Sequence, residues 1–397
     1  MALRFKVANV ITTFNSGSGG PPRTVTLIAR AGLGLWDAEL FTTDYVAPHA
    51  DTLLLSEFPG PSHLIPKGAL TVPGGIVTAM GFSRALRTQL VNGSRPDIVH
   101  VHGLWSPLLF AYARMASAAG IPTIVAPHGM LEPWSLTIRG TRKRFALKTY
   151  QGSVLNNAAA IHTTSDAEAQ HVRDLGFTRT PIFVIPNAVA EPQVAVEEPQ
   201  LPTGEGAWCA KTGGADGERK VLLFLSRIHE KKGLDILLRA WNTLRPSQWE
   251  LRIVGAGDAG YVSKLKEFCS EQHIPNVQFH DHVDGVLREA MFARATAFVL
   301  PTYSENFGNA VAEALIRGLP VITTTGTPWS VIAQSQLGWY IEPNQEQLTQ
   351  ALKELFETDP AVLQQMGIRA RHYAKDHLLI SAVRPRLLDM YQRVLRP

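Results

Sequence analysis

Residues 299–326, VLPTYSENFGNAVAEALIRGLPVITTTG, limit the fold more than any other stretch of the chain. Phe298-Val299-Leu300 reads as the end of a buried strand, closed by Pro301. The polar loop Thr302-Tyr303-Ser304-Glu305-Asn306 follows, and Phe307-Gly308-Asn309 opens a helix. Ala310, Val311, Ala314 and Leu315 recur at helical spacing and give that helix an apolar face. Gly318 is its expected C-terminal cap, and Pro320 starts the next buried strand, Val321-Ile322. A glycine at the helix entrance offers backbone N–H groups and the positive end of the helix dipole to a phosphate. Glu305 and Glu313 frame that entrance, and carboxylates accept hydrogen bonds from vicinal hydroxyls. The unit therefore suits a nucleotide-sugar. It equally fits a plain helix entry with a solvated glutamate on either side.

Other stretches carry the same strand-helix alternation. Residues 4–13 read as a first strand, followed by the loop Asn15-Ser16-Gly17-Ser18-Gly19-Gly20-Pro21-Pro22 and a helix over 23–31. Such a turn admits a phosphate or is simply a turn. Residues 97–102 and 121–126 read as buried strands around a helix over 111–119, which implies a parallel sheet with sites at the strand C-terminal ends. His102 and His128 stand at such ends. Ser165 and Glu168 have the spacing of a structural capping box. Residues 190–219 show no periodicity and several Pro and Gly, as a linker does. After a strand over 221–225, Arg227 and Lys232 flank a loop leading into a helix, where cations can neutralise a diphosphate or stay solvated. Gly255-x-Gly257-x-x-Gly260 with Asp281 formally meets a dinucleotide fingerprint, but it falls in the second strand-helix unit of its domain rather than the first.

SENFGNAVAEALIRGLPVITT resembles the Glu-x7-Glu region of the retaining glycosyltransferases of family 4, with Glu305 and Glu313 at the two Glu positions. Ser226-Arg227 with Lys232-Gly233, Pro127-His128-Gly129 and Ile185-Pro186-Asn187 resemble the same family. The resemblance implies an α/β protein of GT-B architecture. Two Rossmann-like parallel-sheet domains would face a cleft, with a C-terminal helix crossing back to the first. The expected division is an acceptor-binding domain at 1–189, a linker at 190–219, a donor-binding domain at 220–380 and the crossover helix at 381–397. It further implies transfer of a hexose from a nucleoside-diphosphate sugar, GDP-mannose or a UDP-sugar, with retention. Arg227, Lys232 and the helix N–H groups would stabilise the leaving diphosphate. Glu305 would hold the hexose, Glu313 the ribose, and His128 would touch the transferred sugar. Gly19 and Gly20 would face the diphosphate, and Asn306, Phe307, Gly308 and Asn309 would line the donor. Val283 and Asp284 lie where the family places the nucleobase, and a carboxylate there favours guanine slightly. The chain has no Asp-x-Asp, so neither metal nor cofactor is expected.

Residues 132–148 place Arg139, Arg142, Lys143, Arg144 and Lys148 beside Trp134, Leu136, Ile138, Phe145 and Leu147, without an acid from 139 to 148. This is a solvated helix face or a surface for an acceptor or membrane. Related enzymes often use polyprenyl-diphosphate-linked glycans, which makes such an acceptor the expected partner. The 397 residues suffice for two cored domains, and 45% hydrophobic with 18% charged residues fits a globular protein. A net charge of +4 suits anionic ligands or membrane surfaces and demands neither; no nucleic-acid partner is expected. Cys209 and Cys269 have no metal-type spacing. The N-terminus reads as a strand rather than a signal peptide, and no apolar run is long enough to span a bilayer. A cytoplasmic protein, peripheral on the inner face of the membrane, is expected. A sugar-nucleotide 2-epimerase of the same architecture and a non-catalytic carbohydrate-binding protein are the alternatives.

Overall fold

The computed structural model describes residues 4–15, 19–43, 55–65, 71–72, 76–77, 88, 95–192 and 219–396. Most of the expected linker, including Cys209, lies outside the described residues, as do Ser16, Gly17 and Ser18. The chain forms two compact units, residues 1–190 with 378–397, and residues 191–377.

The first unit is built on β1 (Phe5–Ile11), β2 (Trp36–Thr43), β3 (Ser62–Ile65), β6 (Ile98–His102), β7 (Thr123–Ala126), β8 (Ala160–Thr163) and β9 (Ile182–Val184). They lie in the order β3-β2-β1-β6-β7-β8-β9, every pairing parallel. A separate antiparallel ribbon pairs β4 (Thr71–Val72) with β5 (Ile76–Val77). The strand order reverses between β1 and β6, and ligands of such sheets gather at the strand C-terminal ends beside the reversal. β6, sequence IVHVH, is buried throughout, as a strand covered on both faces is. Leu108, Tyr112 and Val154 fill one core cluster, and Trp36, Ile28 and Phe14 another. The last helix, Ile380–Leu395, adds Val383, Leu387, Met390 and Tyr391 to the second cluster, so it does return to the first unit.

Three local readings change. The first helix is Gly20–Ala31 and the next is Pro107–Ala118, each starting earlier than its apolar spacing indicates. Pro21, Pro22 and Pro107 occupy first-turn positions, where a missing N–H costs nothing. Residues 132–148 are not one helix. Pro133–Thr137 and Gly140–Ala146 are separated by Arg139 in the left-handed region, φ 54°.

The second unit orders β10 (Lys220–Leu225), β11 (Trp249–Val254), β12 (Val277–His280), β13 (Ala297–Leu300), β14 (Val321–Thr324) and β15 (Gly338–Ile341) as β12-β11-β10-β13-β14-β15, again all parallel. Its reversal lies between β10 and β13. The loops leaving these two strands carry Arg227 with Lys232, and Glu305. The Asn309–Ile316 helix buries Val311, Ala312, Ala314, Leu315 and Ile316, which leaves Ala310 and Glu313 on its outward side. Gly318 ends it at φ 74°, with its N–H donating to Leu315 O (2.9 Å) and that of Leu319 to Ala314 O (3.1 Å). These two bonds satisfy carbonyls that the helix end leaves unpaired.

Candidate functional site

The loop after β10 is threaded where side chains do not fit. A Cβ on Gly255 would lie 1.9 Å from Ser226 O, and one on Gly257 2.3 Å from Ile228 O. The glycines of the Gly-x-Gly sequence therefore admit the neighbouring loop, and the Ile228 N–H donates to Ala256 O at 2.8 Å. His229 Nδ1 then accepts from the Lys231 N–H and caps a single turn, Glu230–Lys232. Gly233 follows at φ 69°, where a Cβ would sit 2.0 Å from Pro301 O, so backbone meets backbone from the loop after β13. The Tyr303 N–H (2.8 Å) and the Thr302 hydroxyl (2.9 Å) both donate to Lys231 O.

This stitching places the Lys232 ammonium on Glu305 Oε2. Lys232 is only 8% exposed, while Arg227 on the same loop is exposed. Burial alone would raise the Glu305 carboxyl, but Lys232, with Lys231 and Arg227 behind it, holds it below the usual carboxylate range. Glu305 is fixed along its backbone too, its N–H donating to Gly326 O at 2.7 Å.

The helix entrance follows directly. Gly308 is left-handed, φ 79°, and as the N-cap residue brings no capping side chain to the Asn309–Ile316 helix. The Trp329 indole N–H donates to Phe307 O, and the two rings lie 5.1 Å apart, which pins Phe307 beneath the entrance. Asn306 and Asn309 flank it. A glycine-led helix N-terminus and its dipole suit an anion. One turn on, Glu313 Oε2 accepts two N–H groups of Arg288, Nε at 3.1 Å. Arg288 and Arg317 both face the Phe292 ring, at 5.6 and 4.4 Å, and Arg317 pairs with Glu289. Arg288 is therefore a site neighbour that sequence spacing did not indicate. Val283 is buried, and His282 Nε2 meets Asp284 Oδ2 at 2.6 Å. Asp284 is thus a partly exposed carboxylate with a side-chain partner.

In the first unit Gly19 stands at φ 92° before the helix that Gly20 begins. His128, at φ 51°, leads the loop after β7 and is half-buried. His102 Nδ1 lies 3.1 Å from His128 Nε2, and His102 Nε2 lies 3.1 Å from Asn9 Oδ1. His100 and His102 alternate on β6 and so share a sheet face, with ring centroids 4.2 Å apart. His100 bonds Tyr391 OH (3.0 Å) and His162 (3.3 Å), and His162 Nε2 meets Ile185 O (3.1 Å). Burial first, then mutual repulsion, lowers these histidines: His128 to about 3, with His100 and His102 well below the usual value. Burial likewise lowers His162, to about 4.

One sequence expectation is corrected here. The Glu168 carboxylate does not close a capping box on its own helix. It accepts from the Thr164 N–H (2.7 Å) and from the Gly129 N–H (2.6 Å), which ties down the residue after His128. Only the Ser165 half of the box forms. Lys143 is half-buried, unlike its basic neighbours. Its ammonium donates to Ser135 O at 2.6 Å and lies 5.5 Å from the Trp105 ring centre. Arg139, Arg142, Arg144 and Lys148 stay exposed beside Trp134, Ile138 and Phe145. Arg139 and Arg144 also line an open groove of about 540 Å³ with Pro133, Leu136 and Thr137.

The reversal of strand order in each unit, with cations and carboxylates at the second, defines a GT-B glycosyltransferase fold. HepE from Anabaena, solved with UDP-glucose, superposes with a TM-score of 0.76 at 16% identity, over 98% of this chain and 100% of that one. Residues 19–188 match the family described as glycosyl transferase 4-like domain, and residues 219–358 match glycosyl transferases group 1. The chain belongs to the family 4 type of glycosyltransferases. A D-inositol 3-phosphate glycosyltransferase of Streptomyces avermitilis is 28% identical over 71% of this chain and 63% of its own length. A GDP-mannose-dependent mannosyltransferase of phosphatidylinositol monomannoside from Mycolicibacterium smegmatis is 27% identical over 41% of this chain and 44% of its own. The chain thus spans less than two thirds of the length of these curated relatives. Among the described residues no helix is long and apolar enough to cross a membrane.

Proposed function

We propose that this chain transfers a hexose from a nucleoside-diphosphate sugar to a glycan acceptor, with retention and without a metal ion. The observation that carries this reading is the Lys232–Glu305 pair, set between exposed Arg227 and the glycine-led Gly308–Asn309 helix entrance. A diphosphate accepts hydrogen bonds from the entrance N–H groups while Arg227 and Lys232 neutralise the charge that grows as the sugar–phosphate bond breaks. Glu305 then accepts from hexose hydroxyls, and Glu313, oriented by Arg288, from the ribose. Gly19 and Gly20 serve the diphosphate, and His128 contacts the transferred hexose. With cations at the leaving group, the reaction needs no divalent metal. An epimerase or a silent binding protein would leave this set without a transfer to perform. Incubation with a panel of nucleotide-sugars and a lipid-linked oligosaccharide separates them: sugar appearing on the acceptor supports the reading. Free epimer, or binding without turnover of any donor, refutes it.

The donor we assign is a GDP-sugar. Asp284, oriented by His282, offers a carboxylate to the adjacent N–H donors of guanine, whereas uracil has only one. The M. smegmatis relative is named as GDP-mannose-dependent, while HepE was solved with UDP-glucose. The acceptor we assign is polyprenyl-diphosphate-linked, at the cytoplasmic face of a membrane, in polysaccharide synthesis. Arg139, Arg142, Arg144 and Lys148, interleaved with Trp134, Ile138 and Phe145, fit an anionic bilayer surface.

A further inference from the structure

Four histidines converge inside the first unit, and sugar transfer as proposed uses only His128. Their hydrogen bonds form two chains, and carbonyl groups fix the direction of both. A carbonyl only accepts, so His162 Nε2 carries the proton it presents to Ile185 O. A neutral His162 then accepts at Nδ1 from His100 Nε2–H, and His100 accepts at Nδ1 from the Tyr391 hydroxyl. The second chain runs the same way. Asn9 must turn its NH₂ toward Glu39 O, at 3.4 Å, so its Oδ1 faces His102. His102 therefore carries its proton on Nε2 and accepts at Nδ1 from His128 Nε2–H.

We propose that Asn9 and His102 are positioning residues that fix the tautomer of His128, leaving its Nδ1 as a hydrogen-bond acceptor. The consequence is chemical. Nδ1 takes a donor group, such as a sugar hydroxyl, and offers no proton to a phosphate oxygen or a departing diphosphate. His128 thus recognises a hydroxyl of the transferred sugar and is not a general acid. This assignment to the sugar rests on the function proposed above; the relay itself does not.

The test uses the full chain labelled with ¹⁵N-histidine, and the His128→Gln spectrum identifies the His128 signals. Long-range ¹H–¹⁵N correlations at neutral pH should show Nε2 protonated and Nδ1 bare. His102→Leu should give a tautomer mixture. His102→Gln, whose amide can donate to Asn9 and accept from His128, should keep the wild-type pattern. For transfer, His102→Leu should lower kcat/KM roughly tenfold, the worth of about one neutral hydrogen bond, and His102→Gln should stay within about threefold. A wild-type His128 protonated at Nδ1 overturns the proposal, as does an unchanged tautomer in His102→Leu. Should His102→Leu not fold, the wild-type spectrum alone decides. If His128→Ala transfers sugar as well as wild type, the sugar contact is lost as a reading, and the spectrum still decides the relay.

Discussion

Replacing Lys232 by Met nearly keeps the volume of the side chain and removes its charge together with its N–H donors. In the wild type burial pushes the Glu305 carboxyl up, and the surrounding cations, Lys232 foremost, more than offset it. A carboxyl held below its unfolded value contributes stability that is present above that value and is lost as pH falls through the folded one. In Lys232→Met, burial, the first of these causes, is opposed only by Lys231 and Arg227, so the Glu305 carboxyl should rise and its stabilising contribution shrink. The second unit should then be less stable than wild type at neutral pH, with the difference shrinking as the carboxyl protonates. A charge-assisted bond is worth about 1.5–3 kcal/mol. Glu305 is still 20% exposed, which places the expected loss near the lower end, about 1.5 kcal/mol at pH 7.5. It should shrink to about 0.5 kcal/mol or less near pH 4. Hydrogen–deuterium exchange of β10, β13 and β14 along a urea series reads this directly. Transfer should fall further than stability, by roughly two to three orders of magnitude, because a leaving-group contact is lost as well. An equal stability loss at both pH values, or transfer within about tenfold of wild type, refutes the argument.

Other outcomes follow from the same contacts. Donor turnover should survive EDTA in full; loss that magnesium or manganese restores would refute the metal-independent reading. The first unit should be acid-labile: an unfolded chain takes up protons below about pH 6.5, which folded His162 and His128 refuse until about 4 and 3. Each of the two then costs about 1 kcal/mol by pH 5.5, and a first unit as stable at pH 5.5 as at 7.5 would contradict it. Arg142→Ser with Arg144→Ser should reduce flotation on anionic liposomes at low salt, with Lys143 untouched; equal flotation makes the segment a solvated surface. Calorimetry should find GDP bound more tightly than UDP, and the reverse order rejects the role of Asp284.

What the sequence made legible was local. Residues 299–326 revealed strand, loop, helix and cap because apolar spacing, Gly308 and Gly318 are each decided within one turn of chain. Arg227, Lys232 and Glu305 could be named from their own loops, but their meeting depends on Gly233 lying against Pro301, a contact across 68 residues. The histidine chains were less accessible still. His100 and His102 announce a shared face by their alternation, yet Tyr391 lies 291 residues from His100. Glu168 was misread because its spacing from Ser165 is that of a cap, while its carboxylate answers to Gly129, which no local pattern reveals. Composition likewise marks the basic run 139–148 without saying that Lys143 bonds back to Ser135 while Arg142 and Arg144 stay exposed.

The two glutamates of the 299–326 unit look equivalent in sequence and are not equivalent in the fold. Glu313 is gripped by the guanidinium of Arg288, a rigid fork that presents its N–H groups in fixed directions. Glu305 is gripped by an ammonium, a compact charge on a flexible stem whose three donors rotate. An ammonium can divide its donors between a carboxylate and an arriving phosphate without breaking its geometry; a two-pronged grip on one oxygen cannot. In the reading proposed above, this difference matches the two tasks. The ribose does not change during transfer, so its carboxylate gains from being fixed. The hexose and the leaving phosphate change charge and position together, so the carboxylate on one and the cation on the other gain from being coupled through a partner that can move. Gly233 makes that coupling available, because any side chain there would push Lys232 away from the loop that carries Glu305.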